Sequence, residues 1–168
     1  MNIQREVVIL RGASGIGKSE WAAARKAENP SVIVVSAADF FETPDGYKFN
    51  PAQLPASHDA CLRLFIHALR NEAPCIIVDN TNTEAWEISP YLALARLHGY
   101  TVKIRHFTPE GIPRVEAAKL LAARSKHKVP ARSIGSMLLR LDQFLPRSFP
   151  PETLQYNDIS ILSPSTRA

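Results

Sequence analysis

Cysteine is scarce. Cys61 and Cys75 are the two among 168 residues, and no C-x-x-C pair joins them. A zinc module or a redox dithiol needs closely spaced thiols, so both classes are disfavoured. Cys61 falls in a helical stretch and Cys75 opens an apolar strand, so both read as small core residues of a reducing compartment. Long hydrophobic runs are missing too, which leaves no candidate for a membrane span of about 20 residues. Met1 to Glu6 show no signal-peptide pattern, because the short apolar run behind them belongs to a strand, and a cytoplasmic location is expected. Neither charge sign dominates: 20 Lys and Arg stand against 16 Asp and Glu, a net charge of +4. That balance suits a phosphate-rich partner and equally an ordinary solvated surface. There is no internal repeat and no long low-complexity linker. The length suffices for one α/β domain and its core. No membrane contact and no stable protein partner are expected.

What is present is concentrated. Of seven glycines, Gly12, Gly15 and Gly17 lie close together. Gly12, Gly17, Lys18 and Ser19 fit G-x-x-x-x-G-K-[ST]. The motif follows the apolar run Val7-Val8-Ile9-Leu10 and precedes the helix former Glu20-Trp21-Ala22-Ala23-Ala24. Glycines permit the dihedrals that turn successive N–H groups inward into an anion nest. The following helix points its positive end at the phosphates. Gly12, Ser14, Gly15, Ile16, Gly17, Lys18 and Ser19 are therefore the expected nucleotide-binding residues. Lys18 reaches the β- and γ-phosphates, and the Ser19 hydroxyl ligates Mg²⁺. ATP and Mg²⁺ are the expected ligands.

Strands are expected at about 7–11, 32–35, 75–79 and 101–107, and helices at about 18–28, 55–71, 84–98, 113–126 and 131–144. Asn29-Pro30 and Val129-Pro130 break helices, and Gly99 stops one. Thr43-Pro44-Asp45-Gly46 is a turn signal, opening an excursion that ends at Tyr47-Lys48-Phe49-Asn50-Pro51. Strand and helix alternate, which argues for a mainly parallel sheet covered on both faces. Leu154 to Leu162 reads either as a last short strand or as a loose tail.

Ligands of parallel sheets bind beyond the carboxyl ends of strands, so polar residues there are candidates. Asp39, past the second strand, can accept a proton from an attacking hydroxyl; the plainer reading is a helix cap or turn residue. Asp79-Asn80-Thr81-Asn82 ends the third strand as a Walker-B element does, holding Mg²⁺; the plainer reading is that Asp79 or Thr83 caps the next helix. Arg124-Ser125-Lys126-His127-Lys128 is a basic segment from which Arg124 can act on a mobile lid; the plainer reading is a solvated helix end. His58 and His67 lie at helical positions where packing or exposure explains most histidines.

Together these motifs resemble the P-loop polynucleotide 5′-kinases of phage type and the AAA-family ATP-binding domains related to them. The resemblance runs from residue 7 to about 145. Beyond the P-loop it rests on Ser36-Ala37-Ala38-Asp39-Phe40-Phe41, Tyr47-Lys48-Phe49-Asn50-Pro51, Ser57-His58 with Cys61, Val78-Asp79-Asn80-Thr81-Asn82-Thr83, Pro90-Tyr91 and Arg124 to Pro130. It implies an α/β, three-layer P-loop nucleoside triphosphate hydrolase fold of kinase type with a helical lid. Residues 1–145 would form this domain, and 146–168 a partly ordered extension. It also implies an ATP- and Mg²⁺-dependent kinase acting on a hydroxyl, the 5′-hydroxyl of a single-stranded nucleic acid. Lys18, Asp39 and Arg124 would be catalytic, and Ser19 and Asp79 would serve the metal. Asn82, His58, Lys126 and His127 would lie on the substrate or lid side. The family's general-base aspartate matches Ala38 here, with Asp39 one residue later, and Ser125 and Lys128 replace a lid asparagine and glycine. Neighbouring strand residues point oppositely, so Asp39 can substitute only if the backbone re-aims it. A small-molecule or nucleotide kinase, or an ATP-binding protein without turnover, are the alternatives.

Overall fold

β-Branched and aliphatic runs become the strands β1 (Glu6–Arg11), β2 (Val32–Val35), β5 (Cys75–Asp79) and β6 (Thr101–Thr108) in a computed structural model that describes residues 4–144 and 154–158. They pair in parallel in the order β2-β5-β1-β6, and β7 (Leu154–Asp158) adds alongside β6. The last stretch thus contributes a parallel strand, and residues 159–162 lie outside the described residues. A two-stranded antiparallel ribbon, β3 (Glu42–Thr43) and β4 (Gly46–Tyr47), forms at the turn signal. The helices are α1 (Lys18–Glu28), α2 (Leu54–Arg70), α3 (Ala85–Leu97), α4 (Arg114–Arg124) and α5 (Ala131–Gln143). No helix among the described residues is long and apolar enough to cross a membrane.

The central strands β1 and β5 are buried on both faces, and the alternation of side chains along the strands sorts the core in two. Val7, Ile9, Ile76, Val78 and Ile104 pack against Phe65 and Leu69 of α2 and Ile88 and Tyr91 of α3. Val8, Leu10, Ile77 and Phe107 pack against Ala22 of α1, Leu121 of α4 and Ile134, Leu138 and Leu141 of α5. The result is a helix–sheet–helix sandwich whose two helical layers are set by the period-2 alternation of strand side chains. Both cysteines are free thiols, Cys61 in the core and Cys75 half-buried, and burial pushes both thiols up, Cys75 to about 11. α1 packs on one face of the sheet and α2 and α3 on the other, and the strands added to either side of β1 run outward in opposite directions, so the carboxyl end of β1 lies at a topological switch point, where ligands of such sheets bind in the crevice beyond the strand ends.

Candidate active site

The P-loop occupies the turn from β1 to α1. Gly17, the residue before the helix, has φ of 108°, and Gly15 has φ of 80°. Both lie where a side chain is strained and glycine is not. No side chain caps α1, so its first-turn N–H groups remain open to an anion. Lys18 is buried, and its ammonium donates to the Ala13 carbonyl at 2.9 Å. Burial lowers its pKa to about 8, against the pull of the Asp79 carboxylate. Ser19 is exposed one residue further on. Gly12 N–H donates to the Thr81 carbonyl at 3.0 Å, which pins the loop's start to the segment after β5.

The Lys18 value gives a pH dependence with a definite sign. A bound triphosphate favours the ammonium, so it raises the Lys18 pKa and binds most tightly where the lysine is already protonated. Affinity for ATP is therefore expected to hold below pH 8 and to weaken above it, approaching tenfold per pH unit. Titration of a fluorescent ATP analogue between about pH 7 and 9.5 checks this; a flat profile contradicts it.

Asp79 ends β5, buried, and does not cap the following helix. That helix starts from Glu84, whose N–H donates to Glu87 Oε2 at 3.0 Å, and Thr83 Oγ1 donates to the same oxygen at 3.0 Å. The plainer sequence reading of Asp79 and Thr83 as caps is thereby corrected. Asn82, expected on the substrate side, is 1% exposed, has φ of 46° and gives its amide to the Leu10 carbonyl at 2.7 Å. Its side chain therefore holds the loop on β1 and does not line the crevice. Asn80 does a similar service: its Oδ1 accepts from Ala37 N–H at 2.8 Å, tying the ends of β5 and β2 together.

Asp39 sits in a 3₁₀ turn, Ala37–Phe41, capped by Ser36, whose side chain accepts from Ala38 N–H. The plainer reading of Asp39 as a helix cap is corrected, since Ser36 holds that role. A 3₁₀ turn sends successive side chains about 120° apart, unlike the opposed directions of a strand, so Ala38 and Asp39 do not lie on opposite faces. The Asp39 residue reaches solvent, yet its carboxyl is partly desolvated. That desolvation first, and the Asp79 and Glu42 charges after it, push its pKa up, against the pull of Lys126 and His127. Asp39 and Asp79 thus share one electrostatic field beyond two adjacent strands.

The segment between α4 and α5 closes over this crevice. The His127 ring stacks on Tyr47 of β4, centroids 3.8 Å apart, and Lys126 Nζ is 3.9 Å from Glu42 Oε1. Partial burial, then the Lys126 charge, lowers the His127 pKa. Arg124 is the last residue of α4, exposed, and among the described residues no partner holds its guanidinium. His58 is exposed in the second turn of α2, one turn before Cys61, which faces Asn80. His67 meets the Asn71 amide at the far end of that helix.

Sequence reasoning gave Arg11 no role. Its guanidinium is buried and donates to the carbonyls of Asn82, Thr83, Leu141 and Phe144 at 2.9–3.2 Å and to His106 Nδ1 at 3.0 Å. Burial, with the Arg11 charge behind it, depresses the His106 pKa to about 4, so the ring is a neutral acceptor. Arg140 adds a bond to Thr83 Oγ1 at 3.1 Å. Arg11 thus ties the base of the P-loop to the segment after β5 and to the end of α5. The available signal was an arginine closing an otherwise apolar buried strand, where burial demands partners.

A glycine-lined loop between a central parallel strand and a helix, with a buried lysine and a strand-end aspartate, defines a P-loop nucleotide-binding domain of kinase-like fold. Residues 7–144 match the AAA domain family, and the chain belongs to it. NEDD4-binding protein 2 of Homo sapiens is 34% identical over 139 residues, 83% of this chain and 8% of that protein. The chain therefore spans less than a tenth of that relative's length. Among solved structures, the Pnkp1/Rnl/Hen1 RNA repair complex aligns with a TM-score of 0.65 at 19% identity, over 87% of this chain and 46% of that one. A fungal RNA kinase aligns at 0.60 and 13% identity, over 93% and 38%. A gluconokinase from Sinorhizobium meliloti 1021 aligns at 0.53 and 15% identity, over 94% and 84%. At these identities the likeness is one of fold.

Proposed function

We propose that the chain transfers the γ-phosphoryl group of ATP to a hydroxyl acceptor, the 5′-hydroxyl of a polynucleotide. The observation that carries the reading is the pairing of Asp39 and Asp79 in one field beside the P-loop lysine. The nest from Gly12 to Ser19 holds the phosphates. Among the described residues no group of three His, Cys, Asp or Glu could hold a metal ion alone. Mg²⁺ is held by one or two protein oxygens, waters and the substrate's own phosphates; the Ser19 hydroxyl and the Asp79 carboxylate would supply those oxygens. Mg²⁺ would neutralise charge on the transferring group. Asp39 takes the acceptor proton as the new O–P bond forms and the bond to the β-phosphate oxygen breaks, releasing ADP. A carboxyl whose pKa is raised is a better base for this task than an ordinary one. Arg124, unpaired at the lid's edge, is free to swing onto the spreading negative charge.

The test is incubation with γ-labelled ATP and Mg²⁺, offering a 5′-hydroxyl oligonucleotide and, separately, nucleosides and sugars. Label on the oligonucleotide supports the reading. Label only on a small acceptor replaces it with a small-molecule kinase, since one fold hosts many acceptors. ATP binding with no transfer to any acceptor leaves an ATP-binding protein without turnover, as Ala38 in the aspartate position would suggest. Asp39→Asn is expected to lower kcat by about 100-fold or more while ATP affinity stays within about twofold. An unchanged kcat removes Asp39 from the chemistry.

A further inference from the structure

Two carboxylates share the site, and phosphoryl transfer needs the spacing between them held. Asp79 stands inside the sheet, at the end of β5. Asp39 stands in the 3₁₀ turn Ala37–Phe41, beyond Val35, the last paired residue of β2. The first N–H groups of a helical turn have no partner within it and need acceptors from outside. Two side chains supply them. Ser36 accepts from Ala38 N–H at 3.2 Å, a contact within the turn's own segment. Asn80 accepts from Ala37 N–H at 2.8 Å, from 43 residues away in the chain. Asn80 directly follows Asp79, and Ala37 precedes Asp39 by two residues. One hydrogen bond therefore joins the backbone that carries Asp79 to the backbone that carries Asp39.

The Asn80 amide is also fixed from behind. Its Nδ2 donates to Cys61 Sγ of α2 at 3.5 Å, and the Tyr91 hydroxyl of α3 meets both the amide and the thiol. Ala37, Cys61, Asn80 and Tyr91 are all buried. A flipped amide would set its NH₂ against the Ala37 N–H, donor against donor, and its oxygen against a thiol that donates only weakly. Leaving a buried donor without an acceptor is costly, so one orientation of the amide is held.

We infer that Asn80 is the positioning residue of the Asp39 base, with Cys61 as its backstop: the amide holds the 3₁₀ turn so that the Asp39 carboxyl stays beside Asp79. This rests on the reading above of Asp39 as the group that takes the acceptor proton. The Asn80 oxygen is engaged by Ala37, so Asn80 acts through the turn and not on the acceptor.

The experiment is a double-mutant cycle on the full chain, with γ-labelled ATP, Mg²⁺ and a 5′-hydroxyl oligonucleotide, or the nucleoside or sugar that the wild-type chain labels in its place. Asn80→Ala is expected to lower kcat about tenfold while ATP affinity stays within about twofold. Cys61→Ala keeps the Ala37 bond and loosens only the amide behind it, so a loss of about threefold is expected. In the Asp39→Asn chain, where the base is already gone, either change is expected to cost less than about twofold more. A merely structural role would multiply the losses instead. Should Asn80→Ala lose ATP binding, the Cys61→Ala cycle decides. If both single variants keep the wild-type kcat, or if their losses multiply with that of Asp39→Asn, the positioning role is overturned and the kinase reading stands. If Asp39→Asn leaves kcat unchanged, or the wild-type chain labels no acceptor, the reading of Asp39 as the base is overturned and the positioning role with it.

Discussion

Replacing Lys18 with methionine is expected to abolish ATP binding and, at the same time, to raise the melting temperature of the ligand-free chain. The two effects share one cause. The ammonium is held in a buried position, and burial lowers its pKa to about 8 from 10.5. A shift of that size corresponds to about 3 kcal/mol of cost in the folded state at neutral pH. Methionine has a similar volume and carries no charge. It forfeits the bond to the Ala13 carbonyl, which offsets about 1 kcal/mol of the gain. A net stabilisation on the order of 1–2 kcal/mol moves the melting temperature up by several degrees in a domain of this size. ATP affinity falls about 100-fold or more, since charge-assisted bonds to phosphate contribute roughly 1.5–3 kcal/mol each. Thermal melts with and without Mg²⁺ and ATP read both quantities. The wild-type chain gains stability on adding nucleotide, and the variant starts higher and does not respond. A variant that melts lower, or that still responds to ATP, contradicts the account.

Gly15→Ala is the second large effect, and it acts through the lid. A Cβ at Gly15 would lie 2.3 Å from the Leu121 carbonyl oxygen, 3.1 Å from its carbon and 3.3 Å from Ser125 N. These are backbone atoms at the end of α4, with no flexible side chain to yield. The P-loop crest therefore rests directly on the helix that carries Arg124, and Ser14 Oγ lies 3.7 Å from Met137 Sδ of α5. Either the nest or the lid base must move. The expected result is a destabilisation of about 3 kcal/mol or more, with ATP affinity reduced about tenfold or more. Gly111→Ala separates the causes. Gly111 also has a positive φ, 74°, but a Cβ added there would meet nothing within 4 Å. It should cost only the backbone strain, about 1 kcal/mol. Urea unfolding of both variants makes the comparison; equal losses would mean that the crest does not bear on α4.

Much of the fold was legible because it depends on local chemistry. The P-loop spacing, the β-branched strands and the proline and glycine stops each act over a few residues, and the helices end within a residue or two of where those signals stand. The parallel, two-faced sheet follows from alternating strand and helix. Asp79 at the end of an apolar strand was legible in the same way. Asn82 was not, because nothing local distinguishes an amide that reaches the crevice from one that turns back onto Leu10 through a positive φ. Arg11 was also missed, because its partners lie between 71 and 133 residues away in the chain.

The sequence by itself determined that a phosphate nest follows β1 and that carboxylates and cations stand at the strand ends and on a lid. It could not say which way Asp39 faces. Strand geometry would have turned it away from the position occupied by Ala38, and only the 3₁₀ turn capped by Ser36 brings its carboxyl into the field of Asp79. Tertiary structure alone decided that the crest of the nest bears on α4 and that the lid docks on Tyr47. Those contacts join segments far apart in the chain, and their geometry is set by how α4, α5 and the ribbon pack on the sheet. Local propensity specifies elements; packing specifies which of their side chains meet.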